Sequence, residues 1–217
     1  MNALDFSAWI NEQDKMITEN AFRDFSKSDR SKDLDFILLT QIFRRIPYIF
    51  QNKIQLFTRI VLMAQQKLDL MPNSLYVTGS ANFGFSLTPQ PHKWLRSFSD
   101  TSDIDWFIVS ESLFSRLEQD IELFRKTNPT HRNHSTVSSQ LKKGFIDVKQ
   151  IPLNKGFTCV DQCSMVAFLI REELKRDHDL RYCRSGHFRV YKNYSTAVSQ
   201  ICLNLRLARD FAKKLQS

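Results

Sequence analysis

Glycine is scarce in this chain, with 5 residues in 217 against 18 phenylalanines. That ratio excludes a collagen-like or low-complexity chain and argues for a packed, helix-rich body with few turns at positive φ. Cysteine is sparse too, at 4 residues, which excludes a small disulfide scaffold. No apolar run approaches the ~20 residues that cross a bilayer; the longest are short, such as Phe36-Ile37-Leu38-Leu39. The opening Met1-Asn2-Ala3-Leu4-Asp5 lacks the basic and apolar regions of a signal peptide. Blocks of five like charges are missing, so a disordered basic tail is not expected. There is no CxxC pair, and a zinc site would need His178 or His187 at irregular spacing. A Gly-x-Ser-x-Gly elbow for a serine nucleophile is absent as well. The expectation is a cytoplasmic protein with no membrane part, in which Cys159, Cys163, Cys183 and Cys202 are reduced thiols.

Hydrophobic residues make up 42% and charged residues 25%, the balance of a globular chain long enough to bury a core without staples. The formal net charge of +8 is unevenly placed. Residues 1–124 carry 13 Lys+Arg and 16 Asp+Glu, whereas residues 125–217 carry 18 and 7, a net of +11. Such a surplus at one end fits a polyanionic partner, or else a solvated basic helical surface.

Helical spacing predicts a first helix over residues 3–26, with Leu4, Trp9, Ile10, Ile17, Phe22 and Phe25 for burial. A polar break over 26–31 follows. A second helix is expected from about Leu34 to Arg45, and another from Ile49 to Leu68, ended by Pro72-Asn73-Ser74. The pattern then turns to short β-prone runs: Leu75–Thr78, Ile104–Val109 and Phe145–Ile151, with a possible fourth near Phe188–Tyr191. Between them, 86–102 and 127–140 read as loops. Helices are expected over 112–124, capped by Ser112, over 160–177, capped by Thr158, and over 195–215. The fold class is therefore α+β, a small sheet flanked by N- and C-terminal helices. Three segments follow: 1–72 helical, 73–155 carrying the strands, and 156–217 basic and helical.

The chemistry centres on Ser102-Asp103-Ile104-Asp105-Trp106-Phe107-Ile108-Val109. Alternate strand residues face one way, so both carboxylates project to one side. Two like charges held that close call for a cation, and magnesium prefers such hard oxygen ligands. Asp147 lies inside the apolar run Phe145-Ile146-Asp147-Val148, where an ionised carboxylate needs a partner. If its strand pairs beside the first, three carboxylates would hold two metals ~3.5–4 Å apart. The turn Val77-Thr78-Gly79-Ser80 offers backbone N–H groups and a hydroxyl to phosphate oxygens.

In this order, strand plus Gly-Ser, Asp-x-Asp plus strand, then a third acid, the chain resembles the DNA polymerase β-like nucleotidyltransferase superfamily over about residues 75–151. The resemblance implies a nucleotidyltransferase core that binds two Mg²⁺ and transfers a nucleoside monophosphate from a nucleoside triphosphate to a hydroxyl, releasing pyrophosphate. It implies Gly79 and Ser80 on the triphosphate, metal on Asp103 and Asp105, and Asp147 on the metal that activates the acceptor. Ser102 joins Gly79, Ser80 and Lys149 as a candidate nucleotide contact. Lys149 is otherwise a strand-edge lysine. The 22 residues Ala81–Ser102 exceed the usual spacing between the two motifs, so 86–101 is an insertion, with Lys93, Trp94 and Arg96 as candidate lid or acceptor contacts.

Arg181, Arg184, His187, Arg189 and Lys192 alternate with Tyr182, Phe188, Tyr191 and Tyr194, a spacing suited to a nucleotide or single strand, or to ordinary surface charge. The basic C-terminal part favours template-independent addition to an oligonucleotide or RNA end. A protein or tRNA acceptor, as in toxin–antitoxin and phage-defence enzymes, and a nucleotide acceptor, as in signalling-oligonucleotide synthases, stay open. So does a non-catalytic nucleic-acid-binding protein. A small-molecule acceptor fits the basic end less well.

Overall fold

The computed structural model describes residues 19–20, 22, 31–153 and 156–215. Most of the expected helix 3–26 lies outside them; Glu19, Asn20 and Phe22 are helical, and Phe22 is buried. The elements follow in order: α1 (Ser31–Arg44), a 3₁₀ turn (Tyr48–Phe50), α2 (Ile54–Leu68), β1 (Leu75–Thr78), α3 (Ser80–Phe83), β2 (Asp103–Val109), α4 (Glu111–Thr127), α5 (His134–Lys142), β3 (Phe145–Asp147), a 3₁₀ turn (Val148–Gln150), α6 (Thr158–Lys175), β4 (Arg184–Tyr191) and α7 (Tyr194–Lys214). The chain is α+β, as its patterning implied. No described helix is long and apolar enough to cross a membrane.

The sheet has four strands in the order β1-β2-β4-β3. β1 runs antiparallel to β2, β2 parallel to β4, and β4 antiparallel to β3. The possible fourth strand near 188–191 is thus a full central strand starting at Arg184, and the third β-run pairs with it rather than with β2. That run is also shorter than expected, because Val148–Gln150 turns into a 3₁₀ helix. The 127–140 segment is not all loop either: α5 occupies most of it, with Val137 buried.

Alternation sorts each strand between two cores. Leu75, Val77, Ile104, Trp106, Ile108, Ile146, Phe188 and Val190 join the main core with α2, α4 and α6. The opposite face places Tyr76, Phe107, Val109 and Tyr191 in a second core with Leu38 and Ile42 of α1 and Ala197, Ile201 and Leu205 of α7. Both cores draw on residues before and after the strand-bearing segment. In β2 only Asp103 and Asp105 break the burial. They stand on the second face, beyond the end that α1 and α7 cover.

Three helix starts differ from expectation. Ser110, not Ser112, caps α4, accepting the Leu113 N–H at 3.2 Å. Thr158 is the first residue of α6 and caps nothing; Phe157 at the N-cap has no side-chain bond. The buried Asp120 of α4 does that work instead, its Oδ2 accepting the N–H groups of Cys159 (2.8 Å) and Val160 (2.9 Å). A pattern search along one helix cannot find a cap supplied by another. Finally, the expected helix 49–68 is interrupted after Phe50, and Lys53 at the start of α2 binds Asp177 (2.9 Å) and Asp179 (2.8 Å) beyond α6.

Candidate functional site

β1 ends at Thr78, which lies opposite Asp105 in the antiparallel register. The next residue, Gly79, has φ 69° and ψ −154°, a conformation that side chains other than hydrogen resist. A Cβ there would stand 2.9 Å from Asp105 Oδ2. The turn and the acid pair, separated by more than 20 residues in sequence, are therefore in contact, and glycine is what permits it. Ser80 follows as the first residue of the short α3.

On β2, Asp103 lies opposite Arg184 of β4. Between Ile104 and Trp106 the β2–β4 register shifts, so that Gly186 and His187 together oppose Asp105 alone. This is a bulge beside the acid pair, a common device for re-aiming side chains. The His187 side chain lies outside the described residues. Asp147 ends β3 opposite Arg189, on the face shared by Asp105 and Phe107. It is 7% exposed; its N–H donates to Gln140 Oε1 at 3.1 Å, and its Oδ2 meets Lys149 Nζ at 3.3 Å. Lys149 thus reaches Asp147 from the 3₁₀ turn, not from the strand position expected.

These groups line one cleft of about 650 Å³. Gly79, Ser80, Ser102, Asp103, Asp105, Asp147 and Lys149 all border it, together with Lys93, Arg96, Arg184 and Arg189. One wall is α7, through Ile201, Asn204 and Leu207. Ser102 is buried, and its Oγ accepts the Ser99 N–H at 3.0 Å, so it braces the loop before β2.

Electrostatics single out Asp105. It opens to the cleft while protein crowds its other sides; this burial, and then the neighbouring Asp103, push its carboxyl above the usual range, with Arg189 and Lys149 pulling it down. Burial opposes the charge of Arg189, but Tyr191, Asp147 and Asp105 outweigh it and raise its pKa. A carboxylate pair that repels itself, on one strand face, suits a hard divalent cation. The third acid is placed differently. Among the described residues, no three His, Cys, Asp or Glu side chains are gathered closely enough to hold a metal ion. Cys159, Cys163 and Cys183 are buried free thiols.

Of the insertion, Lys93 and Arg96 face the cleft, but Trp94 is anchored between Phe22 (ring centroids 5.9 Å apart) and Phe211 (5.4 Å). A bridge between Phe85 and Ser97 pins the base of the segment. The basic aromatic segment also divides. Phe188 and Tyr191 are core residues, and Tyr194 OH donates to Asn73 O at 2.7 Å beside Tyr76. Arg181 lies over the exposed Tyr182 ring, 4.7 Å from its centroid. Among the described residues of this segment, Arg184 and Arg189, with Phe188 and Tyr191, reach the cleft. Alternation could have found Arg189, since Phe188 and Val190 are plainly core residues and their neighbour must face the other way.

No protein-family model matches this sequence, and no curated protein or solved structure matches it either.

Proposed function

We propose that this chain is a Mg²⁺-dependent nucleotidyltransferase, moving a nucleoside monophosphate from an NTP or dNTP to a hydroxyl. The observation that carries the reading is the contact of Gly79 with Asp105, at the head of a cleft that also holds Asp103 and Asp147. The Gly79–Ser80 turn admits phosphate oxygens close to the backbone, because no side chain stands in the way. Asp103 and Asp105 are the residues that would hold magnesium. When bound, the ion supplies positive charge against the phosphoryl oxygens and lowers the pKa of a coordinated hydroxyl. Arg184, Arg189 and Lys149 set cationic charge where pyrophosphate would leave. Cys159, Cys163 and Cys183, buried elsewhere, take no part.

The favoured acceptor is an oligonucleotide or RNA end. The net charge of +11 over residues 125–217, the part of the chain that supplies the α7 wall of the cleft, supports a polyanionic acceptor. Protein, tRNA and mononucleotide acceptors use the same chemistry. A second reading, a non-catalytic nucleotide- or nucleic-acid-binding protein, is favoured by one observation: the described residues gather no three-acid metal group.

Incubating the protein with labelled NTPs and dNTPs, Mg²⁺ and RNA, with products and protein resolved by mass, separates the two. Transfer is expected, and Asp105→Asn should lower it by at least about a hundredfold. Nucleic-acid binding without turnover, unchanged in Asp105→Asn, would establish the binder instead.

A further inference from the structure

The cleft's cations are arranged unevenly. Three carboxylates, Asp103, Asp105 and Asp147, share it with five cationic side chains: Lys93, Arg96, Lys149, Arg184 and Arg189. One of those five, Lys149, is ion-paired with Asp147, and a second, Arg189, lies opposite it in the sheet. Lys149 Nζ lies 3.3 Å from Asp147 Oδ2, and Arg189 is the direct cross-strand partner of Asp147 on the same face. Arg189 sits on the central strand β4, so it stands between the strand of Asp147 and the strand of Asp105. Its guanidinium is 5.4 Å from the Phe145 ring centroid, and its Nε is buried without a hydrogen-bond partner among the described residues.

Strand spacing decides whether Asp147 can share a cation with the β2 pair. Two strand intervals separate β3 from β2, about 10 Å. Arg189 pairs with both Phe107 and Asp147, so Asp105 is displaced two further residues along the sheet, about 6.6 Å. Backbones about 12 Å apart oppose a cation shared by Asp147 and the β2 pair, and among the described residues no three acids are gathered closely enough to hold a metal ion. The intervening space is on the side where Arg189 lines the cleft.

We propose that Asp147 is not a metal ligand but the anchor of Arg189 and Lys149, and that these two cations bind the phosphate oxygens of a nucleoside triphosphate while the β2 acids hold a single divalent ion. Arg189 would thereby supply positive charge that a second metal would otherwise bring. The guanidinium presents several donors in a fixed plane, so it can keep its bond to Tyr191, feel the charge of Asp147 and offer its remaining N–H groups to phosphate. Asp147 is then a positioning residue. This inference rests on the nucleotidyltransferase reading and specifies its metal count and its phosphate-binding side chains.

The test counts ions and measures metal-free binding on the full chain. Mn²⁺ is titrated against protein saturated with a non-hydrolysable ATP analogue, bound and free ion being separated by electron paramagnetic resonance. One Mn²⁺ per chain is expected, lost in Asp105→Asn and retained in Asp147→Asn. ATP binding in EDTA, followed by calorimetry, should weaken at least about tenfold in Arg189→Gln and recover in part in Arg189→Lys. Circular dichroism checks that each variant is folded; the wild-type ion count needs no variant. Two Mn²⁺ per chain, one of them lost in Asp147→Asn, overturns this inference and leaves the transferase reading intact. No Mn²⁺ at all overturns both. Unchanged metal-free ATP affinity in a folded Arg189→Gln protein removes the phosphate role of Arg189.

Discussion

A single missing side chain organises the cleft. Gly79 combines positive φ with a contact that leaves no room for a methyl group beside Asp105. Gly79→Ala should therefore cost about 1–3 kcal/mol of stability from backbone strain alone. It should also weaken Mn²⁺–nucleotide binding, because Asp105 must move away from the added Cβ. Urea denaturation and the Mn²⁺ titration read the two effects separately. An unchanged urea midpoint would mean that the turn relaxes freely and that the contact does not constrain Asp105. Gly79 and the Asp-x-Asp pair were legible in the sequence as residue types. Their contact was not, since it depends on Thr78 pairing with Asp105.

At the scale of elements, the junction of α4 and α6 is the point most open to test. The first N–H groups of a helix need acceptors, and α6 finds them in Asp120 of another helix. Asp120→Ala leaves both donors buried and should destabilise the fold by about 1–3 kcal/mol, whereas Asp120→Asn keeps an acceptor and should lose less. Burial raises the Asp120 carboxyl more than the Val160 and Cys159 N–H groups lower it. A folded pKa above the unfolded value means that ionisation costs stability as pH rises through the folded pKa. The contribution is restored as pH falls toward the ordinary aspartate value near about 4. Guanidinium midpoints over about pH 4–7 should thus show a wild-type trend that Asp120→Asn reduces, the remainder belonging to other raised carboxyls such as Asp105. A wild-type trend kept whole in Asp120→Asn would assign it to other carboxylates.

Across the whole molecule, the two faces of one sheet divide the work. One is largely apolar and carries α2, α4 and α6; the other is apolar under α1 and α7 and charged where they stop. The aromatic set Phe43, Tyr76, Phe107 and Tyr191 fills the covered end, with Tyr76 and Phe107 stacked at 5.1 Å and Phe43 edge-on to both. Two of these rings, Phe107 and Tyr191, also border the cleft. If the basic C-terminal surface holds a polyanionic acceptor, RNA affinity should fall steeply between about 50 and 200 mM salt. Filter binding at graded salt measures this. A flat response would remove the nucleic-acid acceptor while leaving the nucleotide cleft untouched.

Local chemistry decided what could be read from the chain alone. Apolar periodicity placed most helices and the α+β class, because a helix or strand announces its buried face at a period of 3.6 or 2. Clustered carboxylates and a Gly-Ser turn mark Gly79, Asp103, Asp105 and Asp147 in the sequence itself. Pairing between strands distant in sequence leaves no such trace. That β4 lies between β2 and β3, that Arg189 therefore separates Asp147 from Asp105, and that Asp120 caps a neighbouring helix follow from how the sheet and helices assemble. Hydrogen-bond partners and charge neighbours are properties of that assembly, and only the tertiary structure specified them.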